Sequence, residues 1–156
     1  MRTGIRVILE VTAAAAMLVG VALVALNYAN LPEIIPIHFG ISGKADGFGS
    51  QLWLPVLPGL SVVIYTIMWL AQRNPQKSNT PWKITDENRE RQYKLIVRLL
   101  TWLKAENAIL FAYLQWAMIQ VAFGGATGIS SLFMCLWAAS LLLTMGAYFY
   151  SGYRAR

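Results

Sequence analysis

One cysteine and one histidine are all that the sequence offers of two residue types prominent in metal binding and catalysis. Cys135 sits in an apolar run, so there is neither a disulfide framework nor a metal-ligand spacing to read. The sequence has no GxSxG, no HExxH and no glycine loop that opens a helix to cradle phosphate. Charge is also scarce. Charged residues make up 13% of the chain, against roughly a quarter in soluble domains. Acids are the scarcer sign, seven against thirteen bases, for a formal net charge of +6. Those bases flank apolar runs, which fits membrane topology and argues against a nucleic-acid partner. Apolar residues reach 57%, above the roughly 45–50% of soluble proteins. The composition is that of a membrane protein, and 156 residues is a one-domain length.

Four apolar runs predict an all-α membrane protein with spans over about residues 7–26, 52–71, 105–123 and 129–150. Each is close to the roughly 20 residues that cross a hydrocarbon core. The first run is longer than the apolar core of a signal peptide, and three more follow, so it reads as a retained helix. Within it Glu10 stands one turn from Arg6, a candidate partner, and Thr12, Ala16 and Gly20 form a small-residue stripe for close helix approach. In the second span Ser50 is a natural N-cap, Pro55 falls in the first turn, and Pro58 is deep enough to bend the helix. Residues 72–94 are a polar connector. A helix is expected from about Asp86, capped by Thr85 or Asp86 and supported by the pairs Glu87–Arg91 and Glu90–Lys94. Running unbroken to Phe123 it would be about 57 Å long, so its first third should project into the cytosol or lie along the surface. The GGATG loop at 124–128 makes the last two helices antiparallel neighbours.

Charge asymmetry predicts orientation. Arg2 and Arg6, the bases of the 72–94 connector, and Arg154 and Arg156 fall on one side. The other two loops hold Lys44 alone. The positive-inside rule then puts both termini and the connector in the cytoplasm and the 28–51 loop outside.

That loop is an extracytoplasmic cap between the first two spans. Pro32 and Pro36 fix φ, while Gly43 and Gly47 permit positive φ. Isoleucines and Phe39 and Phe48 give it groups to bury, so it reads as an ordered series of turns. It also holds Glu33, His38 and Asp46. One imidazole and two carboxylates can bind a divalent metal or act as acid and base. The plainer reading is that they cap turns and bond loop backbone.

The third span carries Lys104, Glu106 and Asn107. Ionisable groups inside a span are costly and mark function by default. Lys104 and Glu106 are two apart and point to different faces. Glu10 lies at similar depth and is the better partner for Lys104, leaving Glu106 to face Asn or Gln side chains or a water pocket.

The segment LPEIIPIHFGISGKADGFGS resembles the signature of the bacterial membrane family called domain of unknown function 1648 (DUF1648), through Leu31, Pro32, Ile35, Pro36, His38, Phe39, Gly43, Asp46, Gly49 and Ser50. Gln51 stands where the family often has lysine. The resemblance extends to the amino-terminal part of SdpI-like immunity proteins. It implies a multi-pass protein of the bacterial inner membrane with an immunity- or signalling-related role.

The leading expectation is therefore a small multi-pass membrane protein, self-associating or alone in the lipid bilayer, without a cofactor. Its cap would bind a secreted peptide, a lipid or another membrane protein. One alternative is a membrane enzyme or metal-binding protein using Glu33, His38 and Asp46. Another is a transporter subunit with Glu106 in a polar path, although the sequence has no inverted repeat to support it.

Overall fold

The computed structural model describes residues 3–156. Its main elements, in chain order, are α1 (Thr3–Asn27), β1 (Ile34–Phe39), β2 (Ala45–Ser50), α2 (Val56–Arg73), α3 (Arg89–Ala122) and α4 (Ser131–Arg154). Three segments are long and apolar enough to cross a membrane: Thr3–Asn30, Gln51–Arg73 and Ser131–Arg154.

The least apolar long helix lies at the centre. α3 packs against α1, α2 and α4, whereas the contacts of α4 with the other long helices are chiefly those with α3. Lys104, Glu106, Gln92 and Gln115 are buried along α3; the first three find partners on α1 and α4, while the Gln115 amide has none among the described residues. Small residues bring α1 close: Leu9 and Ala13 of α1 form one cluster with Ala105 and Ala108 of α3, covered by Met17, Tyr65 and Trp102. Of the expected stripe, Ala16 packs against this cluster and Gly20 is buried, while Thr12 is half-buried and Ala13 takes the close-packed place. Gly20 faces the Pro58 ring, 3.6 Å from where a Cβ would stand.

The fold is not all-α. The cap, expected as a series of turns, contains an antiparallel hairpin in which Ile34 faces Ser50, Ile35 faces Gly49 and Pro36 faces Phe48. Proline is tolerated there because each strand of a two-stranded sheet has a free edge. The register shifts around His38, which faces Gly47, and the chain turns back at Gly40–Lys44.

Helix boundaries correct other expectations. Ser50 caps a short 3-10 turn, accepting from Leu52 N at 3.2 Å, and α2 starts only at Val56. Pro58 is therefore in the first turn of α2, where its missing N–H costs little, and no bend need be assigned to it. α3 starts at Arg89, three residues after the expected cap. Asn88 stands at the N-cap position without a side-chain bond into the helix; its amide instead ties the preceding segment, accepting from Thr85 N and donating to Lys83 O. Glu87 thus precedes the helix, and of the two expected pairs only Glu90–Lys94 forms, at 2.5 Å. Nor does the first third of α3 stand free. Gln92 donates to the Gly152 carbonyl of α4 at 3.0 Å, and Gln72 of α2 donates to Val97 O and Thr101 Oγ1. α2 and α4 extend far enough to cover it.

Candidate functional site

The hairpin is fixed from below. Leu31, Ile35 and Leu54 form a buried cluster with Met118 and Ile119 at the end of α3, and Phe39, Tyr28 and Leu57 pack around it. A second anchor is backbone: Ile129 N donates to Gly43 O at 2.9 Å, and Lys44 bridges to Gly128. The hairpin and the α3–α4 loop therefore share one end of the helices. Gly43 takes φ +78, as expected of a turn glycine. Gly47 does not; its requirement is space, because a Cβ there would stand 2.8 Å from His38 Cβ.

Most of the motif thus has a folding role. Leu31, Ile35 and Phe39 pack downward, Pro36 is buried, Gly43 turns the chain and Ser50 caps. Pro32 and Glu33 are exposed, and the backbone carbonyl of Glu33 accepts from Gln51 N. His38 and Asp46 lack a packing role. They are exposed and meet across the strands, His38 Nδ1 lying 2.5 Å from Asp46 Oδ1. A carboxylate on Nδ1 orients an imidazole and leaves Nε2 for chemistry or a ligand. Glu33 lies beyond the other end of β1. Among the described residues no group of three or more His, Cys, Asp and Glu is arranged to hold a metal ion. The three groups proposed from the sequence are thus brought together only as a pair.

Inside the bundle, Lys104 and Glu10 meet. Lys104 Nζ donates to Glu10 Oε1 at 2.7 Å and Oε2 at 2.9 Å, with the lysine side chain wholly buried. Arg6 is not the partner of Glu10. Tyr65 of α2, which sequence reasoning missed, donates its hydroxyl to Glu10 Oε2 at 2.8 Å. Its ring also faces the Lys104 ammonium, 4.6 Å from the centroid. A tyrosine midway along an apolar span was the available signal, since its hydroxyl needs a partner when buried. The three groups join α1, α2 and α3.

Glu106 faces hydroxyls rather than the expected amides, and its Oε2 is buried without a protein partner among the described residues. Ser140 and Thr144 of α4 both donate to its Oε1 at 2.7 Å, and Trp137 Nε1 donates to its backbone carbonyl. Asn107 instead donates to Leu103 O in its own helix. The i,i+4 spacing of Ser140 and Thr144 places them on one face of α4.

The fold and these sites define a mostly helical protein with membrane-length helices, a capping hairpin and a polar central helix. Residues 15–62 match the family model described as domain of unknown function (DUF1648), the family that the Leu31–Ser50 motif resembles. The match runs from the middle of α1 through the hairpin into α2, and leaves α3 and α4 outside it. A relative described as an uncharacterized protein of Archaeoglobus fulgidus is 38% identical over 64 residues. The aligned stretch covers 36% of this chain and 35% of that relative, so it spans about a third of the relative's length. No solved structure matches.

Proposed function

We propose that the chain is a four-span membrane protein, both termini cytoplasmic, whose outward hairpin recognises an extended apolar peptide segment. The carrying observation is the division of the hairpin's apolar groups. Ile35 is buried against α3, while Ile34, Ile37, Ile41 and Phe48 are exposed. Ile34 and Phe48 lie on the same face by register. A fixed apolar surface loses little entropy on binding, and each strand keeps an edge that a further strand can extend. Peptide recognition is also what the immunity- or signalling-related role implied by the resemblance would require. The orientation is supported by charge: Arg73 ends α2, Lys77 and Lys83 follow it, and Arg89, Arg91 and Lys94 open α3, against Lys44 alone in the cap and the α3–α4 loop. α3 would complete the fourth span, because Lys104 is answered by Glu10 and Glu106 Oε1 by two hydroxyls of α4.

The test is selection of displayed peptides on the purified protein in detergent. Extended apolar peptides should bind, and the Ile34→Asp, Phe48→Asp double variant should lose them while melting as the wild type does. Equal binding by that variant would refute the surface. The exposed His38–Asp46 pair favours a second reading, a divalent-metal or acid–base site completed by a ligand. The same preparation decides it: stoichiometric zinc or manganese lost in His38→Ala would favour the second reading over the first.

A further inference from the structure

A groove of about 310 Å³ runs between α3 and α4 at the connector end of the bundle. Leu99, Trp102, Leu143 and Ala147 supply its apolar walls. Ser140 and Thr144, already donating to Glu106, also line it. Arg98 lines this groove and a neighbouring cavity of about 560 Å³, which Arg6, Lys94 and Glu90 also line. Lys94 is paired with Glu90 and holds that carboxyl below the usual carboxylate range. Arg98 and Arg6 make no ion pair among the described residues.

We infer that this groove holds an anionic phospholipid, the phosphate on Arg98 and Arg6 and one acyl chain between α3 and α4. The inference rests on reading the chain as membrane-spanning. Three observations select this occupant. The groove lies between helices of the bundle, and Leu143 beside it is exposed, so acyl chains have access from the bilayer. The cations gather near the start of α3, opposite the cap end, where the proposed orientation puts the headgroups. Basic pockets between spans on the cytoplasmic side are suited to anionic headgroups, and guanidinium matches phosphate geometrically. A soluble anion would satisfy Arg98 but leave the apolar walls uncovered.

The measurement is thermal stability of the detergent-purified protein titrated with phosphatidylglycerol, phosphatidylcholine or inorganic phosphate. Phosphatidylglycerol should raise the melting temperature at concentrations where the other two do not. Arg98→Gln should weaken the apparent affinity about fivefold or more, the share of one basic residue at a membrane surface. Ala147→Phe should abolish the shift by filling the groove. Arg98→Lys keeps the charge and gives a second reading should Arg98→Gln fold poorly; it should retain most of the shift. Arg73→Gln should change nothing, because Arg73 sits over the Trp69 ring outside the groove. Equal shifts with phosphatidylcholine, protection by phosphate alone, or equal losses in the Arg98 and Arg73 variants would overturn the inference. Detergent exposes both ends of the protein, so a reversed orientation in cells would leave this result unchanged.

Discussion

At the scale of single residues the group hardest to accommodate is the Lys104 ammonium. Its side chain is wholly buried, and an unpaired charge there would cost at least a few kcal/mol unless it snorkelled. It does not reach for the interface. Glu10 receives it with two short contacts, and Tyr65 offers it an aromatic face while donating its own hydroxyl to Glu10. Breaking such a pair leaves a buried charge, so Glu10→Gln and Lys104→Met should each destabilise by about 3 kcal/mol. The double variant should cost no more than either single, because it leaves no orphan. Denaturant or thermal melts in detergent read the cycle; simple addition of the two effects would show independent charges. The Glu10–Lys104 pairing was legible because so few acids lie on the apolar runs. Tyr65 was not legible, since its contact depends on the rotation of α2. The hydroxyls that meet Glu106 were missed for the same reason: sequence gives depth along a helix, but not which face of α4 turns toward α3.

At the scale of elements, helix positions were legible to within a few residues, since about 20 apolar residues in a row leave little choice. Their ends were less so. Pro55 and Pro58 each suit a first turn, and the 3-10 turn at Gln51–Trp53 decided between them. The hairpin was hidden by composition. Two prolines and four glycines in Leu31–Ser50 are turn residues by habit, yet Pro36 sits on a strand edge and Gly47 and Gly49 make room for His38 and Ile37. The turn itself gives a sharp prediction. Gly43 has φ +78, and a Cβ there would meet the Ile129 carbonyl at 2.8 Å. Gly43→Val should therefore cost about 1–3 kcal/mol from backbone strain, with the close contact adding to it. Hydrogen exchange should show the Ile129 amide losing protection with it; unchanged melting and exchange would mean the turn is adaptable.

At the scale of the whole molecule, α3, the fourth span of the proposal, inverts the usual logic of a membrane helix. It has the lowest share of apolar residues of the four long helices yet packs against all three others, so its polar side chains help hold the bundle together while α1, α2 and α4 present apolar surface outward. That arrangement was not legible from hydropathy, which ranks α3 last among the four long helices. Packing of the cap against the α3–α4 loop, with the connector at the far end of α4, makes the two polar regions opposite poles. The proposed function needs those poles on opposite sides of a membrane. Cysteine labelling on intact cells tests this most directly, in a Cys135→Ala background because that native thiol is exposed. Lys44→Cys should react with an impermeant maleimide while Lys83→Cys reacts only after the membrane is opened. The reverse pattern, or labelling of both in sealed cells, would contradict the four-span orientation and with it the outward cap.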